Sequence, residues 1–455
     1  MSRRFAQRAG ARAQDWPIAV RKVDLREPLH SIDDVEQYPR TRVFVEQDGL
    51  LVGSTDIANV WRPISETRLR QSIAAALAQP LMRQAIERQL SRGVKQRLPA
   101  SVSASIVVAT CGRPKELRRC LAALKAQASP RAVEIVVVDN RPGQGGTAQV
   151  IRELADIVYI EEPRPGLSYA RNTGFAAARG DILITVDDDV TVPPGWIERL
   201  LAPFARPEVA AVTGHVLPLA LDTESQCRFE AYGGLGKGFD FQEANGEWFR
   251  SMKGAVPTWR LGATANAAFR ASIFLDPSIG LLDEALGAGM PTGCSEDTYL
   301  FYRILKAGWT IVYDPGAWVW HLHRSDMKSL KDQIYSYSKG HVAYQVTTLL
   351  HDHDLRALVR LGWSLPKAYL RRALERLRGD GDYPIRLILT EVAGNLAGPW
   401  ALWRARRQVR RLGRSLSYIA PERRAPQPGA GRPQPGADPV APQRRSETSL
   451  PHPAA

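Results

Sequence analysis

The spacing of apolar and polar residues changes near residue 103. Before that point RTRVFVEQDGLLVGSTDI (residues 40–57) alternates β-formers around Gln47-Asp48-Gly49, which predicts a hairpin closed by an Asp-Gly turn. Ser65 opens an amphipathic helical pattern that runs to about Arg92, with a break expected at Pro80. Residues 16–98 therefore read as a small α+β accessory domain. From Ser103 the apolar residues come in unbroken runs: SASIVVAT (103–110), EIVVVDN (134–140), IVYIEEP (157–163) and ILITVDDD (182–189). Helical stretches separate them, at 111–127, 150–156 and 167–180, the last expected to end on Gly180. Continuous apolar strands alternating with helices predict an α/β fold: a mostly parallel, doubly wound, Rossmann-like sheet with helices on both faces.

The rhythm continues through a helix at 196–205, a strand at 209–219 and a strand at 310–324. Residues 222–258, polar and containing YGGLGKGFDF, read as a mobile loop. Its Gly-x-Gly spacing follows no strand and is discounted as a dinucleotide fingerprint. SEDTYLFYRILKAG (295–308) begins a helix, with Ser295 as expected N-cap and Glu296 and Asp297 in the first turn. Residues 326–415 read as a helical basic region, broken around Gly379–Pro384 and at Gly398-Pro399. Residues 1–15 and the Pro-rich tail 421–455 are expected to be disordered.

Charge adds one regional feature. The net charge is +14, and from Leu355 onward 19 Lys and Arg face 7 Asp and Glu, so 12 of the surplus charges lie there. RLGWSLPKAYLRRALERLR and GPWALWRARRQVRRLGR mix Trp, Leu and Arg, the composition of helices that lie on an anionic membrane face. A solvated basic face would have the same composition. Nucleic acid is not an expected partner, since the cations lie away from the sheet and form no known binding motif. Four scattered cysteines without a CxxC pair suggest neither zinc nor a disulfide framework, and point to a cytoplasmic setting. The basic N-terminus has no apolar run behind it, so no signal peptide is expected. The longest apolar stretch, Pro384–Trp403, is interrupted by Arg386, Glu391 and Pro399, so no spanning helix is expected either.

The chemistry gathers at strand ends. Asp187, Asp188 and Asp189 close a buried strand, where three carboxylates repel one another and lose hydration. A divalent cation with phosphate oxygens would offset that, whereas an Asp-rich turn alone would ask for nothing more. Thr110 and Asp139 fall at other strand ends, the edge where such sheets bind ligands. That convergence favours the cation.

Six segments in order, SASIVVATCGRP, EIVVVDN, GLSYARNTGFAAARGDILITVDDDV, GATANAAFR, SEDTYLFYRILKAGW and WHLH, resemble the inverting family 2 glycosyltransferases of GT-A fold over about residues 103–325. The resemblance implies transfer of a sugar from a nucleotide-diphosphate donor to a hydroxyl of a glycan or lipid-linked acceptor, with Mg²⁺ or Mn²⁺ as cofactor. Asp189 becomes the direct metal ligand, Asp187 a nucleotide and metal-water contact, and Asp188 the middle residue most tolerant of change. Thr110, Arg113, Asp139 and Arg171 border the donor, together with Asp187 and Asp188. Asp297 becomes the general base, supported by Glu296. His321 or His323 would supply a further ligand, with His321 favoured. Trp259, Gly262, Thr264 and Asn266 form the sugar and acceptor loop. By analogy the pathway is cell-surface polysaccharide synthesis, on the inner face of the plasma membrane. The rival readings are a nucleotidyltransferase, disfavoured by the glycine-poor VATCGRP, and a non-catalytic sugar- or nucleic-acid-binding protein.

Overall fold

The computed structural model describes residues 16–90, 97–378 and 384–423. The segments expected to be disordered, 1–15 and nearly all of 421–455, lie outside these residues. So do 91–92, where the first helix was expected to end, and most of the break at Gly379–Pro384.

The N-terminal unit is α+β, as its pattern predicts. Strand β1 (Ile18–Asp24) pairs in parallel with β2 (Arg40–Gln47), and β3 (Leu50–Ile57) folds back on β2 as a hairpin. Asp48 and Gly49 form its turn, both at positive φ (52° and 77°), as a two-residue turn matching the strand twist requires. Helix α1 (Glu66–Leu90) covers the sheet with Leu69, Ile73 and Leu77. It runs through Pro80 without the expected break.

The second sheet carries the chemistry. In chain order it is built from β4 (Ala104–Thr110), α2 (Pro114–Lys125), β5 (Val133–Asp139), α3 (Thr147–Arg152), β6 (Ile157–Glu161), α4 (Leu167–Ala177), β7 (Ile182–Asp187), β8 (Val190–Thr191), α5 (Trp196–Leu201) and β9 (Val209–Pro218). Then follow α6 (Glu224–Tyr232), β10 (Gln242–Ala244), α7 (Gly246–Ser251), β11 (Asn266–Arg270), α8 (Glu296–Lys306) and β12 (Thr310–His321). The strand order is β10-β12-β9-β11-β7-β4-β5-β6, with β8 paired to β12. Strands β7, β4, β5 and β6 are mutually parallel, as are β9 and β12. Strand β11 enters antiparallel between β7 and β9. The fold is the expected α/β class with a mostly parallel sheet.

Alternation along β4 shows why both faces are covered. Ile106 and Val108 pack with Leu117 and Leu121 of α2, while Val107 packs with Phe175 of α4. Two expectations change here. Helix α4 stops at Ala177, and Gly180 is needed for a different reason: a Cβ there would lie 2.5 Å from the Ser105 backbone nitrogen. Residues 222–258, expected as a loop, hold α6, β10 and α7, because Thr223 and Asn245 are N-caps whose side chains accept backbone N–H bonds.

Helices α9 (Met327–His351), α10 (Arg356–Val359), α11 (Leu365–Leu377) and α12 (Ile385–Leu412) close the molecule. Helix α12 continues through Pro399 rather than breaking there. Gly394 and Gly398, one turn apart, let it lie against α9: a Cβ at either would come 2.6 Å from Tyr335 O or Val342 Cβ. Among the described residues, no helix is long and apolar enough to cross a membrane. All four cysteines are free.

Candidate active site

Strand β7 delivers Asp187 beside Ala109 of β4, at the carboxyl edge of the parallel strands. The chain then turns into β8, whose Val190 pairs with His321 at the end of β12. That two-residue pairing brings His321 to the aspartates. Ligand atoms of Asp187, Asp189 and His321 lie within 4.8 Å of one another. His321 Nε2 is 3.3 Å from Asp189 Oδ1, yet this buried oxygen accepts no hydrogen bond from any described residue. Burial holds His321 below its ordinary value despite the nearby Asp189 charge, which favours the neutral, ligating imidazole. Two carboxylates and an imidazole, with one buried oxygen unsatisfied, form a donor set that fits Mg²⁺ or Mn²⁺.

Asp188, in the turn that follows β7, points away from the cleft and into the protein. It is 0% exposed, accepts from Thr110 Oγ1 at 2.7 Å and pairs with Arg113 Nη2 at 2.5 Å. Burial pushes its carboxyl up to about 7, against the pull of Arg113. Arg113 also reaches Asp189 Oδ2, at 2.6 Å. Thr110 and Arg113, two of the residues expected beside the donor, therefore hold the Asp triplet in shape.

The second acidic pair sits across the cleft at the start of α8. Ser295 is not the N-cap expected: at φ 81° it makes no side-chain cap. A serine in that conformation costs on the order of 1–3 kcal/mol, and such strain concentrates at functional sites. Glu296 is buried, whereas Asp297 is half-buried and lines the cleft. Asp297 Oδ1 accepts from Thr298 N and Oγ1 at 2.6 and 3.1 Å. Burial, and then the Asp297 charge, push Glu296 up to about 7 although Arg171 opposes them. Arg171 donates to Glu296 Oε1 (3.0 Å), Thr264 Oγ1 (2.7 Å) and Asp187 Oδ1 (2.7 Å), so one buried guanidinium joins both acidic clusters. It was expected to bind donor; here its partners are the acids.

Residues 105–260 match the family model for glycosyl transferase family 2. They form a family 2 glycosyltransferase domain. The chain is 28% identical over 238 residues to the pre-mycofactocin glycosyltransferase of Mycobacterium tuberculosis, covering 50% of this chain and 45% of that protein. It is 30% identical over 227 residues to the succinoglycan biosynthesis protein ExoM of Rhizobium meliloti, covering 47% and 65%. The chain thus spans less than two thirds of either curated relative. Among solved structures, the mannosyltransferase PcManGT of Pyrobaculum calidifontis, in complex with GDP-Man and Mn²⁺, aligns with 74% of this chain and 84% of its own, at 18% identity and a TM-score of 0.40.

The cleft that holds both acidic clusters has a volume of about 1630 Å³ and is lined by Thr110, Arg113, Arg171, Asp187, Asp189, Glu296, Asp297 and His321. Trp259, Gly262 and Thr264 also line it. Trp259 carries Arg360 over its ring at 5.3 Å. Gly262 has φ 115°, and a Cβ there would meet the Thr213 side chain. Three expected contacts are placed differently. Asn266 lies in β11, fully buried, donating to His215 O and Ala317 O and accepting from Trp196 Nε1, so it ties strands together. Asp139 is buried, and its carboxylate accepts from the Arg141 N–H and the Tyr159 hydroxyl. Its neighbour Asn140 lines the cleft instead. His323 is outside the ligand cluster: β12 ends at His321, and the His323 ring turns to Glu230 at 2.9 Å.

Other groups on the cleft wall carried no sequence signal. Lys237, from the glycine-rich stretch dismissed as a loop, is one. Burial lowers its pKa, against the nearby Asp297 charge. Tyr369 and Arg372 of α11 and Glu391 and Asn395 of α12 form another wall. Glu391 Oε2 accepts from the Tyr369 hydroxyl (2.9 Å) and Arg372 (2.7 Å). The basic helices thus face the site as well as solvent.

Proposed function

We propose that the chain is a metal-dependent, inverting glycosyltransferase that moves a sugar from a nucleotide-diphosphate donor to a hydroxyl of a glycan or lipid-linked acceptor. The observation that carries this reading is the meeting, in one cleft, of the Asp187–Asp189–His321 cluster and Asp297. Asp187, Asp189 and His321 would hold the cation. When bound, it supplies charge neutralisation for the diphosphate leaving group.

The chain's own groups divide the remaining work. Asp297, accessible in the cleft and unencumbered by Arg171, takes the proton from the acceptor hydroxyl as that oxygen attacks the anomeric carbon opposite the leaving group. Glu296, its carboxyl pushed up to about 7, carries only part of a negative charge near pH 7 and so lessens the repulsion on the base. Arg113 and Thr110 keep the Asp triplet aligned on the donor side, with Asn140 at the base end. Trp259, Gly262 and Thr264 border the sugar. A nucleotidyltransferase would not need a base opposite the diphosphate, so Asp297 favours glycosyl transfer.

The acceptor is drawn from cell-surface polysaccharide synthesis, in keeping with the similarity to a succinoglycan biosynthesis protein. The setting is the cytoplasmic face of the membrane. Helices α11 and α12 turn Tyr369, Arg372, Glu391 and Asn395 to the cleft and expose Leu370, Leu389, Leu396 and Trp400 on the outside, and Trp363 is exposed just ahead of α11. Such a face suits an anionic bilayer presenting a lipid-linked acceptor.

Purified protein with a panel of nucleotide sugars tests the reaction. Turnover is expected only with Mg²⁺ or Mn²⁺, and Asp297→Asn should lower it by about 10²–10⁴-fold while donor binding stays intact. Asp189→Ala should lower it at least ~10²-fold, since the cation's share of transition-state stabilisation is several kcal/mol. Full activity in EDTA or in the Asp297→Asn protein would overturn the reading.

A further inference from the structure

Behind the acidic cluster a line of four side chains leads out of the catalytic sheet. His321 Nδ1 lies 3.0 Å from His323 Nδ1, and His323 Nε2 lies 2.9 Å from Glu230 Oε1. Glu230 Oε2 lies 3.4 Å from Arg42 Nη1. Arg42 stands on β2 of the N-terminal unit and is fixed there by two bonds to Asp56, at 2.8 and 2.9 Å. The His323 side chain is 1% exposed and packs edge-on to Phe229, with ring centroids 4.8 Å apart.

Glu230 is held below the ordinary carboxylate range by its contact with His323 and by Arg42, although burial opposes this, so it accepts. His323 Nε2 faces that acceptor, which turns its Nδ1 toward His321 Nδ1. The contact between the two Nδ1 atoms holds the His321 ring from behind and leaves its Nε2 on the side of the acidic cluster, 3.3 Å from the unsatisfied Asp189 Oδ1.

We infer that His323, Glu230 and Arg42 are positioning residues: together they fix the ring of His321 so that Nε2 is presented as a ligand, and the N-terminal domain thereby supports the metal site from outside the catalytic sheet. The inference rests on the reading of that cluster as a divalent-cation site. Hydrogen-bonding partners behind a ligating histidine typically change metal affinity by about 10–100-fold. The Arg42 end acts through two intermediaries and is the weakest link.

The full-length protein provides the test. Mn²⁺ alone, titrated by EPR, should bind the wild type with ¹⁴N modulation in the spin echo. His323→Phe keeps the ring volume and should weaken binding by about 10–100-fold with reduced modulation. Glu230→Gln, which retains an acceptor oxygen, should recover most of the affinity that Glu230→Ala loses, and Arg42→Met should show the smallest loss. Wild-type Mn²⁺ affinity and modulation in His323→Phe overturn the inference. Absence of Mn²⁺ binding, or of ¹⁴N modulation, in the wild type instead overturns the metal-site reading on which it rests.

Discussion

Arg171 Nη1 lies 3.0 Å from Glu296 Oε1, and the guanidinium that makes this contact is only 2% exposed. Its second nitrogen reaches Asp187, so a single buried cation balances acids on two different elements. Water cannot screen or replace it. Arg171→Met should therefore leave an uncompensated carboxyl in the core and cost about 3–5 kcal/mol of stability. Urea denaturation would measure it, as a lower midpoint at unchanged slope. A loss under ~1 kcal/mol would mean that the acids simply take up protons when the arginine is removed.

The proton on Glu296 makes stability depend on pH. In the folded protein its carboxyl is pushed up to about 7, first by burial and then by Asp297, whereas in the unfolded chain it titrates near ~4.3. Between those values the folded state holds a proton that the unfolded state has released. Stability accordingly falls as pH rises from about 4.3 to about 7 and levels off above. Thermal unfolding across that window should show a slope in the wild type that flattens in Glu296→Gln. Asp188, also pushed up to about 7, adds a slope of the same sign, so Asp188→Asn should flatten part of the remainder. Equal slopes in wild type and Glu296→Gln would contradict the assignment.

Asp188 is also where the expectation of tolerance meets its opposite. Strand alternation was expected to turn it away from Asp187 and Asp189, but β7 ends at Asp187 and the turn that follows points Asp188 inward. This sheet is covered on both faces, so turning away means entering the core, against Thr110 and Arg113. Asp188→Ala should leave the Thr110 hydroxyl without its acceptor and cost about 1–3 kcal/mol. Asp188→Asn keeps an acceptor oxygen and should cost less. Equal thermal midpoints for the alanine variant and the wild type would restore the tolerant reading.

The strand ends were readable because apolar runs and acidic stops are local. Asp187, Asp189, His321, Glu296 and Asp297 therefore fell into one cleft as expected. Features fixed by distant neighbours were not readable. Pro80 and Pro399 sit inside helices that tertiary packing holds together, against their local preference. Asn266 looks like a loop residue within GATAN, yet β11 threads between β7 and β9 and turns its amide into a bridge between strands. Ser295 has the composition of a cap and the backbone of a strained turn, which residue type cannot reveal. Glu230 carries no motif at all: only the docking of α6 on the segment after β12, where Gln226 donates to His323 O, brings it to His323.

The outer face of α11 and α12, with Trp363 just ahead of α11, gives the last test. Trp363 is 66% exposed with Lys367 over its ring at 5.9 Å. Trp400, 61% exposed, stacks on Trp403 at 4.5 Å, and Arg407 lies over that second ring. Large exposed rings paired with cations, alongside exposed Leu370, Leu389 and Leu396, match the interfacial zone of a bilayer rather than bulk water. Vesicles containing anionic lipid should bind the full chain and shift its Trp emission to the blue, with binding weakened by salt. Burying one such ring contributes roughly 1.5–3 kcal/mol, so Trp363→Ala and Trp400→Ala should each weaken binding by about tenfold or more. Neutral vesicles separate the two contributions: the apolar one survives there and the cationic one does not. Binding that is equal for both vesicle types and indifferent to the two tryptophans would leave these helices as an ordinary solvated face, and the acceptor would then have to reach Asp297 from solution.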